Sequence, residues 1–354
     1  MRRSWLATWA MAEETTAAVK RHALTKAEKS LLCALADPAR PCPSTDLLAA
    51  AEPRLLFDAI DHHGIEAVAL RKLKTAEPKP GGEFAQLVAE AAERQFVANA
   101  MSMTLEAHAT RILEAVSAAR ARAVIVKGPV FAKELYRHES DRPFTDIDIL
   151  TPRGDLAAIG GILGRSGYWQ AKRAFWDRSE INMEQKWFSK ENDRLLVELH
   201  TNLVHDAGLR RRLSFGFEDH ELASEGGRYP SVAWFLTAVI HAAAGHKFHK
   251  LQLLVDVLQA FRTLSQEDLA ALDRILDRIP ARLETALCLE LVDELFDVVE
   301  AKTVLAAITV NSNFRNRKKF VDADTVLGSY FDTGKRSKIR RHGFRLMQKV
   351  VSRR

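Results

Sequence analysis

From Glu83 to Arg120 the chain runs without a single Pro or Gly. That run exceeds the usual helix length of about 8–20 residues, so it reads as one long helix or as two joined at a kink. The stretch before it, from residue 16 onward, also reads as helical. Leu31, Leu32 and Leu35 recur with a helical period, and Pro38, Pro41 and Pro43 then break it. Ser44 suits an N-cap for a short helix. Leu55, Ile60, Ile65, Val68 and Leu70 continue the apolar pattern around His62-His63-Gly64, which reads as a helix stop. Pro78-Lys79-Pro80-Gly81-Gly82 reads as a linker.

After Arg120 the texture changes. Ala123–Lys127 is a short buried-strand pattern, followed by Gly128-Pro129 and a helix-like run, Val130–His138. Thr145–Thr151 is a second strand. Asp155–Arg165 is a helix ended by Ser166-Gly167, and Tyr168–Lys172 a third strand. Lys186–Lys190 and Leu195–His200 flank Glu191-Asn192-Asp193-Arg194 as a hairpin. Helices then return over Val232–Ala244 and Leu251–Arg262. Ser265 with Asp268 marks a further helix start, and Ala281–Ala301 is another amphipathic run. The expected class is α+β, a small mixed sheet between two helical regions. We divide the chain into a helical region 1–121, an α/β core 122–205, a helical domain 206–310 and a basic tail 311–354.

Charge separates that tail from the body. Residues 315–354 hold 13 Lys or Arg against 3 Asp, a net +10, which leaves −4 of the overall +6 on the rest. Such a tail suits a nucleic acid, an acidic lipid or an acidic partner, or else is a solvated, partly disordered end. Phe314, Phe320, Tyr330, Phe331 and Phe344 interleave its charges and would permit base stacking. Three widely spaced cysteines, Cys33, Cys42 and Cys288, form neither a disulfide framework nor a metal motif and fit a reducing, cytoplasmic compartment. No stretch of about 18 uncharged apolar residues is present, so no membrane span is expected. Met1–Ala12 looks like a weak leader peptide, but Glu13 and Glu14 follow at once, and a frayed helix or a start at Met11 fits better.

The chemistry concentrates in Asp146-Ile147-Asp148. Strand side chains alternate faces, so both carboxylates project to one side while Ile147 and Ile149 enter the core. Paired carboxylates can converge on divalent cations, and their hard oxygens select Mg²⁺ or Mn²⁺. In Val197-Glu198-Leu199-His200 the alternation sets Glu198 and His200 opposite an apolar face, so Glu198 supplies a third carboxylate as ligand or base. Lys127 and Gly128 end the preceding strand and can contact phosphate. Arg142 can grip a triphosphate or pair with Asp141 or Glu139. His241, His246 and His249 lack the i,i+4 spacing of a helical zinc pair.

A strand ending in Gly, a helix, Asp-x-Asp and a later strand carboxylate resemble the DNA polymerase β-like nucleotidyltransferase superfamily. Val124–Tyr136, Arg142–Leu150 and Val197–His200 resemble, more closely, the bacterial uncharacterised nucleotidyltransferases within it. The helical flanks are similar too, through His63-Gly64-Ile65 upstream and His246 with Leu254-Val255-Asp256 downstream. The resemblance implies a polymerase β-like core in which Asp146, Asp148 and Glu198 bind metal. It implies that Lys127 and Gly128 meet phosphate, and that His246 and Asp256 orient substrate; His200, by its place beside Glu198, can orient phosphate or substrate or else be a structural histidine. Pro129 stands where the superfamily usually has Ser, so nucleotide grip falls to Lys127, Arg142 or other residues.

The expected function is Mg²⁺-dependent transfer of a nucleoside monophosphate from a nucleoside triphosphate, with release of pyrophosphate. The acceptor is open: a small molecule, a peptide, a protein or RNA. Two other functions fit the same residues. One is a degenerate nucleotide-binding module whose basic tail binds nucleic acid or a partner. The other is a phosphotransferase.

Overall fold

The computed structural model describes residues 24–76, 79, 81–171, 183–224, 231–308, 317–329 and 336–350. The leader-like start, part of the 78–82 linker, and Phe314, Tyr330 and Phe331 lie outside the described residues.

Four helices open the described part of the chain: α1 (Lys26–Ala36), α2 (Thr45–Ala49), α3 (Pro53–His62) and α4 (Glu66–Thr75). Thr25 and Glu28 cap α1 reciprocally, each side chain taking a backbone N–H of the other. Ser44 holds the N-cap position of α2 but makes no side-chain cap bond. The chain reverses after α3 at Gly64, whose φ is +69°. The long Gly/Pro-free run is one helix, α5 (Gly82–Ala118), with 37 residues. Its N-terminal half packs Phe84 and Ala91 into the helical core. Its C-terminal half presents Leu105, Ala109, Ile112 and Val116, spaced on one helical face, to the sheet. One rigid element thus spans both cores.

The sheet contains β1 (Val124–Ile125), β2 (Asp146–Leu150), β3 (Tyr168–Gln170), β4 (Glu184–Ser189) and β5 (Leu196–His200), in the order β1-β2-β5-β4-β3. Only β2 and β5 are parallel. Between the strands lie α6 (Pro129–Leu135) and α7 (Leu156–Arg165). The Val130–His138 run ends early as a helix, and Glu139–Asp141 forms a 3₁₀ turn instead. Ile147, Ile149, Val197 and Leu199 are fully buried on the face that meets α5 and α7. The opposite face carries the carboxylates.

The second helical part begins with α8 (Ala207–Arg210), α9 (Phe217–Ser224) and α10 (Ser231–Ile240). The pattern over Val232–Ala244 reads as one helix, but α-geometry stops at Ile240 and His241–Gly245 forms a π-turn. There follow α11 (Leu251–Arg262), α12 (Gln266–Arg278), α13 (Arg282–Phe296) and α14 (Val299–Ala307). Ser265 and Asp268 form the expected capping box. The Ala281–Ala301 run is broken by Asp297, whose left-handed backbone (φ +49°) closes α13.

The described part of the basic tail is folded. It contains α15 (Ala323–Leu327) and α16 (Arg336–Val350). Phe344 is fully buried against Phe248 and so is withdrawn from base stacking. Gly343 lets Phe320 lie against the helix, because a Cβ there would sit 2.9 Å from the ring. Several tail cations are internally paired: Arg317 with Glu290, Arg340 with Asp322, and Lys349 with Asp206. Arg345 donates to the Ala244 carbonyl at the end of the π-turn. The three cysteines are free thiols. Among the described residues no helix is long and apolar enough to cross a membrane.

Candidate active site

Parallel pairing of β2 with β5 aligns Asp148 directly with Glu198 and Asp146 with Leu196. Neighbouring strands lie about 4.8 Å apart, and alternation keeps Asp146, Asp148 and Glu198 on one face. All three line one cavity of about 420 Å³. Its other walls include Lys127, Gly128, Lys186, Glu184, His205 and His246. That volume falls within the range of about 300–1,000 Å³ usual for small-ligand sites.

Asp148 is the anchor. Its Oδ1 accepts from Lys127 Nζ at 2.8 Å and lies 2.9 Å from His200 Nε2. Burial works to raise its pKa, but Lys127 and His200 together hold it well below the usual carboxylate range. Asp146 goes the other way. Burial, with the Asp148 charge beside it, pushes it up to about 6. Burial works to lower Lys127, yet Asp148, Asp146 and Glu198 raise it, so it remains an ammonium. Glu198 Oε1 accepts from Lys186 Nζ at 2.7 Å, and its Oε2 lies 3.7 Å from His200 Nε2.

Gly128 has φ +54°, and a Cβ there would stand 3.2 Å from the Asp146 carbonyl. Glycine is therefore required for the backbone to pass β2 at this corner. The helix it opens has only seven residues and begins with Pro129, which has no N–H to offer. Positive charge for a phosphate comes instead from side chains, Lys127 foremost.

Arg142 is held within the protein. Its Nε and Nη2 donate to Asp256 at 2.8 and 3.0 Å, and its Nη1 donates to the Pro143 carbonyl. Tyr136 Oη donates to Asp256 Oδ1 at 2.6 Å, and Gln252 donates to both. Neither sequence alternative for an ion pair holds. Asp141 instead accepts a two-pronged contact from Arg71. The corner after α6 is thus tied to both helical regions, through Arg71 and through Asp256. Removing Asp256 leaves a largely buried guanidinium without its counter-ion. Asp256→Ala should therefore cost about 3–5 kcal/mol in urea unfolding. A loss below about 1 kcal/mol, the scale of an exposed pair, would show that the brace is idle.

His200 and Asp256 are fully buried and do not line the cavity; they hold Asp148 and Arg142 in place. His246 does line it, brought there by the π-turn. Its ring sits edge-on to His241, centroids 4.6 Å apart, and 5.0 Å from His249. Burial, together with His249 and Lys127, pushes His246 down to about 3. Burial, His200 and Lys127 likewise push His205 down to about 4, so both are neutral near pH 7. His241, His246 and His249 do not form a three-donor group of the kind found at Asp148, Glu198 and His200, whose ligand atoms lie within 4.8 Å of one another.

The donor set fits a hard divalent cation. Four carboxylates (Asp146, Asp148, Glu184 and Glu198) face the cavity against two ammonium groups, Lys127 and Lys186. Asp256 cancels the charge of Arg142. The remaining charge of about −2 and the raised Asp146 both show an under-neutralised site that a divalent cation would relieve.

Glu184, Lys186 and His205 were not singled out in the sequence as site residues. Glu184 and Lys186 are two apart on β4 and pair with His200 and Glu198. With β4 beginning at Glu184, strand alternation places both on one face. His205 lies beyond β5 in a loop, where no period applies. A protein-family model described as an uncharacterised nucleotidyltransferase matches residues 49–297. No curated protein and no solved structure matches the chain.

Proposed function

The chain belongs to the uncharacterised nucleotidyltransferase family, and from that membership we propose that it transfers a nucleoside monophosphate from a nucleoside triphosphate to an acceptor. The observation that carries this reading is the convergence of Asp146, Asp148 and Glu198 with Lys127 in one cavity. Those three carboxylates would hold Mg²⁺ or Mn²⁺. When bound, the cation neutralises phosphate oxygens and lowers the cost of charge build-up at phosphorus. Lys127, adjoining Asp148, offers a point charge to the leaving pyrophosphate. An acceptor oxygen or nitrogen attacks the α-phosphorus, the bond from that phosphorus to the bridging oxygen breaks, and pyrophosphate departs. Lys186 fixes Glu198, and His200 fixes Asp148. Preorganisation of this kind avoids rearrangement during reaction. Arg142 contributes by locking the corner from which Phe144 and Asp146 extend.

Thermal unfolding with ATP, GTP, CTP and UTP, each with and without Mg²⁺, tests this. A nucleotide at about 100 times its Kd should stabilise the protein by about 2.7 kcal/mol. The shift should need Mg²⁺ and vanish in an Asp146→Asn/Asp148→Asn variant. Pyrophosphate among the products supports nucleotidyl transfer. A nucleoside diphosphate would identify a phosphotransferase, and binding without turnover a degenerate module.

A further inference from the structure

Beside the three carboxylates stands a second donor set, Glu184, His200 and His205, of which the proposed reaction uses only His200, through its other nitrogen. Glu184 on β4 and His200 on β5 are direct partners across the antiparallel ladder, and His205 follows β5. One ligand atom from each lies within 4.8 Å of the other two. His205 Nδ1 is 3.3 Å from Glu184 Oε2, while Glu184 Oε1 is 3.2 Å from Lys186 Nζ. The rings of His200 and His205 stack, centroids 5.4 Å apart and planes 19° apart.

His200 carries the argument. Its side chain is fully buried, and its Nε2 meets the Asp148 carboxylate at 2.9 Å. A carboxylate only accepts, so Nε2 carries a proton, and the neutral ring then has its lone pair on Nδ1. That Nδ1 is buried and has no hydrogen-bond partner. A buried polar atom left in this state is costly unless something binds it. An imidazole with one nitrogen donating to a carboxylate and the other offering a lone pair is the arrangement typical of metal-ligating histidines.

We propose that His200 Nδ1, His205 and Glu184 form a binding site for one transition-metal cation of the zinc class, with Asp148 as the outer partner that orients His200. Two imidazoles and one carboxylate match zinc-type sites that keep an open coordination position. Mg²⁺ prefers oxygen ligands alone and does not compete well for such a set. Both Glu184 and His205 line the cavity, so the open position faces it. The site does not depend on nucleotidyl transfer being the reaction.

The test is calorimetric titration of the full chain with Zn²⁺ in excess Mg²⁺, repeated with Co²⁺ to read its visible ligand-field spectrum. One tight equivalent is expected. His205→Ala and Glu184→Gln should each weaken it at least about 10-fold and abolish the Co²⁺ spectrum. His205 is 40% exposed, so its removal leaves the core packing intact, and a thermal scan confirms folding. Unchanged affinity in both variants would overturn the proposal. So would a Zn²⁺ equivalent lost only in Asp146→Asn/Asp148→Asn, which would place the cation on the carboxylates. Loss of the nucleotide-dependent shift alone bears on the proposed reaction and leaves this site standing.

Discussion

Asp148→Asn is expected to reduce nucleotidyl transfer by at least about 10²–10³-fold, the scale set by losing one preorganised electrostatic contact. Asp148 is the point where Lys127 and His200 meet. Its Oδ1 accepts from Lys127, it receives His200, and its backbone is in register with Glu198. An amide in its place withdraws a formal charge from any bound cation and one partner from Lys127. It also turns His200 toward an uncharged neighbour. The fold should survive, since Lys127 still has Asp146 and Glu198 nearby. The check is turnover measured as pyrophosphate release, beside a urea titration of the same variant. Activity within a factor of about three of the parent, in a folded protein, would remove Asp148 from the chemistry.

Lowering the pH from 7 to 5 is expected to destabilise the protein substantially, through histidines that burial keeps neutral: His205 and His246, which line the cavity, and His249, His63 and His220, which do not. His63 is fully buried, with its Nδ1 accepting from the Leu251 N–H at 3.2 Å and its Nε2 3.3 Å from the Leu327 carbonyl. Burial, with His62 beside it, holds His63 down to about 3, and burial holds His220 down to about 4. The unfolded chain takes up protons near the ordinary value of about 6.5, whereas the folded chain refuses them. The stabilisation is therefore complete above about pH 6.5 and shrinks as pH falls, by about 1.4 kcal/mol per unit for each group. At pH 5 that amounts to about 2 kcal/mol each, or about 4 together. Asp146, pushed up rather than down, gains stability over part of this window, but it is one group against several. Urea midpoints at pH 7 and pH 5 measure the effect. His220→Phe should remove about 2 kcal/mol of the pH dependence, the share of one such group, and equal midpoints at both pH values would refute the assignment.

Local pattern carried much of the architecture. The Gly/Pro-free run after the linker became the single helix α5, and Leu251–Arg262 became α11 with the expected bounds. The alternation in Asp146–Leu150 and Leu196–His200 placed apolar residues on the buried face. Where expectation and structure part, a long-range contact decides. The helical period runs through Ile240 into Ala244, yet the ladder widens there. Gly245 follows, and Arg345, a hundred residues later, takes the Ala244 carbonyl. The tail looked like unbound charge, yet Phe344 and Gln348 anchor it, the latter by donating to the buried Glu284.

The sequence alone determined the faces: which side of each strand is apolar, which side holds carboxylates, and where helices start and stop. These follow from spacing, because side-chain direction repeats every 2 residues along a strand and every 3.6 along a helix. Only the tertiary structure decided the partners. Asp148 stands beside Glu198 because β2 and β5, fifty residues apart, pair in one register out of several possible. Arg142 is bound to Asp256 rather than to its sequence neighbours, because α11 buries a carboxylate at that corner. His200 keeps one nitrogen for Asp148 and leaves the other bare, because β4 and the loop after β5 close over it. Such choices depend on burial and on distances between segments remote in sequence, and no local period encodes either.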